Sequence, residues 1–517
     1  MSDKQRIAKN TLLLYIRMFF VMGISIFTSR IVLEKLGIDN YGIYVTVGGI
    51  VGLMSFIHGA LNTGTSRFIT FALGTKDEAV LKNTFSTSLT VQFLLIALLF
   101  LVTETFGLWF VKHKLIIPPQ SYDAAIWTYH ISIFSVCLGL LGVPFSAAII
   151  AHEKMGLYAY TTIFNVSANL GICYLLSMAP FNKLIFYALL MLAVTIISLV
   201  INVIYCLYNF PETHYKPIFD KKIFKNMAGF SGWSLFASTS LALNNQGILI
   251  LLNMFFSPAV VAARSISLTV NGAATSFVNN FRVAANPQIV KHYAAGEYDE
   301  SKNLLLSSTK FSYYLMFILS LPICVGAYDL LHVWLKQVPP YTTVFLQLVI
   351  IQSLFQVFDS SFYMALYAKG NLKANALISP TLGFIQFPVV FILFKFGFSP
   401  VTLSWASLIV YAVLGLIVKP ILLIKTVDYN WSEIYETFRP CIIVSIVAGM
   451  GSWLILSLIT VTGSDFLKLV IKTSICLVVS IPSIYYLGMN GDMRKRLKTL
   501  LHSRIKSIGF AKILSRP

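Results

Sequence analysis

Apolar runs of about 20 residues, each closed by a short polar break, follow one another along the chain. A run of that length crosses a hydrocarbon core of about 30 Å as a helix. The pattern predicts fourteen membrane-spanning helices. The first six lie near residues 11–33, 42–66, 85–111, 124–151, 158–179 and 184–207. The next six lie near 228–252, 263–287, 304–335, 343–367, 375–396 and 401–424, and a last pair near 438–460 and 467–488. No break is long enough to hold a soluble domain. The predicted fold class is an all-α integral membrane protein.

The most polar interior break, near 208–227, carries Lys216, Lys221, Lys222 and Lys225. It separates an N-terminal six-helix lobe, 1–210, from a C-terminal six-helix lobe, 228–425, through a linker at 211–227. An appended two-helix hairpin, 426–490, and a basic tail, 491–517, complete the expected organisation. The linker opens on PETHYKP, whose prolines favour an extended connection.

The two lobes repeat one another. At an offset of 222, Ala72, Gly74, Asp77, Glu78, Ser86 and Thr87 match Ala294, Gly296, Asp299, Glu300, Ser308 and Thr309. At an offset of 217, Phe145, Ala148, Ala151 and Ala159 match Phe362, Ala365, Ala368 and Ala376. Both matches fall at corresponding breaks. Six spans is an even number, so both lobes enter from the same side and the repeats are parallel. Parallel repeats that rock against each other around a midplane site are a transporter architecture.

Charge then fixes an orientation. With the N-terminus placed inside, inside segments carry 24 Lys and Arg and outside segments carry 7. The positive-inside rule puts both termini in the cytoplasm. This bias also accounts for the net charge of +19, so nucleic acid is not an expected partner. Only 11% of residues are charged, against about a quarter in soluble domains. Lys4, Arg6 and Lys9 precede a first run that contains Arg17 and Arg30, and we read that run as a retained span rather than a signal peptide. The six cysteines lie in apolar runs without paired spacing, which suits packing and implies neither a disulfide nor a metal site. No cofactor is expected. In the tail, Leu497, Leu500, Leu501, Ile505 and Ile508 recur at helical spacing among basic residues, as in an amphipathic helix on anionic lipid.

The candidate chemistry lies in charges at membrane depth. Eight cations fall inside predicted spans: Arg17, Arg30, Arg67, Arg264, Arg282, Lys310, Lys419 and Lys472. Three acids do: Glu104, Asp329 and Asp359. Intramembrane charges are costly and face protein or water. An excess of cations suggests a cavity that receives an anion, and guanidinium binds pyrophosphate oxygens in pairs. Arg17 either snorkels to the surface or faces the cavity. Arg30 either binds cargo or pairs with Glu34 four residues on. Arg67 follows a polar NTGTS stretch that interrupts a span, and it ranks first among the cargo contacts. Arg264 sits near an outer end and Arg282 deeper. Lys310, Lys419 and Lys472 are expected to snorkel. Asp359 either pairs with a cation or binds a coupling H+ or Na+. Glu104 and Asp329 read as boundary residues.

Three phrases add a resemblance. They are LEKLGIDNYGIY (Leu33–Tyr44), NTGTSRF around Arg67, and PQIVKHYAAGEYDE (Pro287–Glu300). With the layout of six, six and two spans, they resemble the polysaccharide (O-antigen-type) flippases of the multidrug/oligosaccharidyl-lipid/polysaccharide exporter superfamily. The resemblance implies a MATE-like fold. It implies carriage of undecaprenyl-pyrophosphate-linked oligosaccharide from the cytoplasmic to the periplasmic leaflet of a bacterial inner membrane, as in lipopolysaccharide synthesis. Related lipid II flippases have cavity arginines on the first, second and eighth helices. Here those helices carry Arg17 and Arg30, Arg67, and Arg264 and Arg282, although no position matches residue by residue. The expected partners are the lipid-linked oligosaccharide and membrane lipid, with the protein a monomer. The alternative is an ion-coupled multidrug or cation exporter of the same superfamily, which needs cavity acids that the first six spans scarcely offer. A membrane enzyme needs a cluster of acids, bases or metal ligands at one face. None is visible, and no catalysis is expected.

Overall fold

The computed structural model describes residues 3–53, 65–66, 68–73, 77–152, 154–217, 220–221, 224–225, 243–370, 373–459, 462–491 and 494, and for residues 3–19 the backbone alone. Every regular element among them is helical, as the hydrophobic pattern predicts. Ten helical segments among the described residues are long and apolar enough to cross a membrane. The predicted second and seventh spans lie partly outside the described residues, at 54–64 and 226–242. The predicted eighth span is a helix of 37 residues that is not among the ten. It carries Arg264, Asn271, Asn279, Asn280 and Arg282, so it has the length to cross but not the composition.

The helices group into two compact units. The first comprises Met1–Ala273, Leu335–Phe345 and Ala376–Ala406; the second comprises Ala274–Trp334, Leu346–Asn375 and Ser407–Pro517.

The first unit opens with α1 (Asp3–Leu36) and α2 (Ile38–Gly52). Gly37, at φ +82°, makes the corner between them, a conformation that glycine adopts without a Cβ clash. Gly42 lets α2 approach Pro258 closely: a Cβ there would lie 2.0 Å from the Pro258 carbonyl oxygen. Asn40 donates to the Leu36 carbonyl at 3.1 Å and accepts from Ser121 at 3.2 Å. The phrase LEKLGIDNYGIY thus encodes a helix corner and a close helix contact. Next come α3 (Glu78–Val102), α4 (Leu108–Lys114), α5 (Tyr122–Leu141), α6 (Val143–Ala151), α7 (Met155–Leu175) and α8 (Lys183–Asn209). Asp77 caps α3 by accepting from the Ala79 and Val80 amides, at 2.9 and 3.1 Å. Between α3 and α4 a single π-turn, Thr103–Gly107, widens the helix. The Tyr129 hydroxyl reaches into it and donates to the Thr103 carbonyl at 2.7 Å. The Thr103 carbonyl thus accepts both this hydroxyl and the Leu108 amide, whose bond spans the π-turn. Helix α1 packs along α7, while α5 packs on α2 and α8. α9 (Ile248–Phe255) and the start of α10 (Pro258–Ala294) complete the core, with Phe345, Val390, Phe394 and Leu403 buried against them.

The second unit is built from the rest of α10, α11 (Tyr298–Val325), α12 (Ala327–Trp334) and most of α13 (Thr342–Lys369). α14 (Lys373–Lys395) and α15 (Thr402–Val413) contribute short stretches; α16 (Lys419–Val427), α17 (Trp431–Leu458) and α18 (Asp465–Ser483) follow. Helix α11 packs on α17 and α18, and Tyr314 donates to the Gly488 carbonyl at 2.8 Å. Gly415 brings its helix against the Phe355 carbonyl, with room for no Cβ. The turn from α10 to α11 is the phrase PQIVKHYAAGEYDE. Gly296, at φ +81°, closes α10, with its amide on the Tyr293 carbonyl and the Glu297 amide on the His292 carbonyl.

Candidate functional site: charged groups at membrane depth

Two of the five predicted arginines cannot be placed. The side chain of Arg17 and all of Arg67 lie outside the described residues. The other three sit in different surroundings. Arg30 is half-buried on α1 and makes no hydrogen bond or ion pair among the described residues. Glu34, one helical turn on, pairs instead with Lys336 at 2.7 Å. Arg264 is fully buried in the first unit, 2% exposed. Its guanidinium donates to the Ser404 hydroxyl at 3.0 Å and lies 5.8 Å from the centre of the Phe345 ring.

Arg282 belongs to the second unit and is joined to α13. One terminal nitrogen donates to the Ser360 hydroxyl at 2.6 Å and the other to the Ser360 carbonyl. The residue before Ser360 is Asp359, so α13 presents an acid and a doubly acceptor serine side by side. Asp359 forms an ion pair of 3.1 Å with Lys419. The Lys419 ammonium also donates to the Asn375 side-chain oxygen and lies 5.5 Å from the Tyr363 ring centre. These residues form a cluster with two cations and one carboxylate, in which Lys419 and Asn375 are buried and Arg282, Asp359 and Ser360 half-buried. The low polarity around it strengthens each attraction and raises the cost of any unmatched charge.

Two expectations need correction here. Lys419 and Lys472 do not snorkel. Lys419 is 2% exposed and held by Asp359. Lys472 pairs at 2.5 Å with Asp329, whose carboxylate is buried at 2% exposure. A buried carboxylate offers a nearby ammonium a better environment than a long route to the surface. Glu104 lies in the π-turn and pairs with His130 at 2.9 Å. Lys310 is half-buried on α11. Sequence reasoning missed Ser360, Asn375, Ser404 and the Asp359–Lys419 pairing. Nothing in the spacing marks these partners, which lie tens of residues apart. Among the described residues no group of three metal-ligating side chains occurs. All six cysteines are free thiols.

No protein-family model matches the chain, and no curated protein matches it. Solved structures do share its fold. Lipid II flippase MurJ in an inward closed conformation aligns at a TM-score of 0.71 with 12% identity, over 91% of this chain and 98% of that one. An inward-facing multidrug resistance MATE transporter of the MOP superfamily aligns at 0.64 with 11% identity, over 80% of this chain and 96% of that one. An outward-facing one aligns at 0.57 with 11% identity, over 81% and 97%. At such identities the likeness is one of fold. This is the all-helical membrane fold that the hydrophobic pattern predicts, MATE-like as the family resemblance implies.

Proposed function

We propose that this protein is a flippase. It moves an undecaprenyl-pyrophosphate-linked oligosaccharide, an O-antigen-type repeat unit, from the cytoplasmic to the periplasmic leaflet of a bacterial inner membrane. The two six-helix lobes, 1–210 and 228–425, alternate access to the cargo, and both termini are cytoplasmic. The pyrophosphate is held by arginines drawn from Arg17, Arg30, Arg67, Arg264 and Arg282. The observation that supports this reading is the cationic excess around α10 and α13, where Arg282 and Lys419 flank one carboxylate, Asp359. A cluster with one uncompensated positive charge at membrane depth suits an anionic cargo. It disfavours a cationic drug, because its acid already carries a lysine. Arg30 adds a half-buried guanidinium that makes no hydrogen bond or ion pair among the described residues.

Asp359 is also the proposed site for a coupling ion. Protonation of its carboxylate, or an Na+ bound there, would compete with Lys419 for the same oxygen. Leaflet transfer of a labelled lipid-pyrophosphate oligosaccharide in proteoliposomes tests the proposal. Intact protein should transfer the lipid, and Arg282→Ala or Arg67→Ala should each slow transfer at least tenfold. Unchanged transfer by both variants, in well-folded protein, would remove the arginines from the mechanism. Uptake of a cationic dye driven by an ion gradient would favour the exporter alternative.

A further inference from the structure

The corner where the α10–α11 turn, the end of α13 and the end of α16 meet contains a cavity of about 410 Å³, wholly within the second unit. Two lysines line it. Lys302 donates to the Asp428 carbonyl at 2.6 Å and lies 5.2 Å from the Tyr429 ring centre. Lys369 approaches the Asp428 carboxylate at 3.4 Å, a loose contact for an ion pair. Aromatic rings form the other walls. Tyr293 and Tyr298 stand edge to face at 5.0 Å, and Tyr429 is buried. Burial, aided by Glu433 and Tyr293, pushes the Tyr429 phenol well up, so it stays a neutral hydroxyl.

The internal repeat supplies a comparison. At the offset of 217, the cavity residues Ala365, Lys369, Val427 and Tyr429 correspond to Ala148, His152, Phe210 and Glu212. The helix ends agree to within one residue: α6 stops at Ala151 and α13 at Lys369, while α8 stops at Asn209 and α16 at Val427. In the first unit this corner is closed. The His152 ring stacks on Phe210 at 4.0 Å and 7°, and its Nε2 meets the Glu212 carboxylate at 2.6 Å. Glu212 and the neighbouring Thr213 are 6% and 1% exposed. In the second unit valine replaces the phenylalanine and tyrosine the glutamate, so the plug is absent, and of two ammonium groups only Lys369 meets a carboxylate while Lys302 rests on the Asp428 backbone carbonyl.

We propose that this open corner is a binding site for a phosphate-bearing polyol. The phosphate would lie on Lys302 and Lys369, and the hydroxylated carbon skeleton against Tyr293, Tyr298 and Tyr429. The cavity is within the usual range for small-molecule sites, about 300–1,000 Å³. Its excess positive charge selects an anion, and its tyrosine faces and hydroxyls suit a polyol. The same chemistry is offered by a phosphatidylglycerol headgroup and by a soluble sugar phosphate. The proposal does not depend on the flippase reading.

Full-length protein in neutral detergent is titrated with glycerol 1-phosphate, glucose 1-phosphate and short-chain phosphatidylglycerol, with glycerol, glucose and phosphatidylcholine as uncharged or zwitterionic controls. Binding is read by native mass spectrometry and calorimetry. Saturable binding of a phosphate probe over its control is expected. Binding confined to phosphatidylglycerol assigns the site to a lipid headgroup, and binding of the soluble probes assigns it to a metabolite. Two variants weaken it at least tenfold: K302Q/K369Q, which removes the charges, and K369H/V427F/Y429E, which imports the plug of the first unit. They act by different means, so either one that folds suffices to decide. Absence of saturable binding in the unaltered protein, or undiminished binding in a folded variant, overturns the proposal.

Discussion

Replacing Lys419 alone strands a carboxylate at membrane depth, and replacing Asp359 alone strands an ammonium. Their attraction at 3.1 Å is about 5 kcal/mol at an effective dielectric constant of about 20. Removing both charges also removes the desolvation cost of both, several kcal/mol per ion. The prediction is therefore a strongly non-additive cycle. Lys419→Met should destabilise by about 3 kcal/mol, the low end for breaking a buried pair, because Arg282 stands near to share the orphaned acid. Asp359→Leu should cost more, nearer 5 kcal/mol, because Lys419 is 2% exposed and keeps only the Asn375 oxygen and the Tyr363 ring. The double variant should return to within about 1 kcal/mol of the parent or exceed it. Thermal unfolding of the four proteins in identical nanodiscs measures this, with single-variant midpoints lowered by on the order of 5 °C. If the double variant falls by the sum of the singles, the two residues do not interact energetically and the cluster has been misread.

Three further outcomes follow from the packing. Lys472→Ala should lower stability by about 3 kcal/mol through the unpaired, buried Asp329, and Lys472→Ala with Asp329→Asn should recover most of it, as read by the same unfolding measurement. Gly42→Ala should reduce the yield of folded protein by size-exclusion chromatography, since the new methyl would sit 2.0 Å from the Pro258 carbonyl oxygen; its cost should exceed about 4 kcal/mol. Gly296→Ala faces no such neighbour and strains only a φ of +81°, so it should cost about 1 kcal/mol, visible as a small fall in the unfolding midpoint.

The fold was largely legible in the sequence because a lipid solvent imposes length and composition on each helix separately. α8, apolar almost throughout, needs no partner to be recognised. α10 was legible for the opposite reason: its arginines and asparagines interrupt a long helix whose ends are set by Pro258 and Gly296. The glycines in LEKLGIDNYGIY carry a physical requirement, one for a left-handed corner and one for a close approach. The π-turn at Thr103–Gly107 was not legible, because Tyr129, the side chain that engages it, lies on another helix. The candidate site was legible only as an inventory of charges. Pattern reasoning could mark Asp359 as costly, but not show that Lys419, 60 residues on, would neutralise it, since two faces of separate helices must meet first. For the same reason lysines assigned to the surface by their long stems turned inward.

The contact of Gly42 with Pro258 has a mechanical consequence. With hydrogen alone between the α2 backbone and a carbonyl oxygen, α2 has no side chain to cushion displacement along its axis. A slide along the axis would press the α2 backbone itself against that oxygen, and a clash of this kind rises too steeply to be absorbed by side-chain rotation. Sliding is blocked while tilting about the point of contact stays free. The small residue thus sets a point of contact about which α2 tilts more readily than it slides.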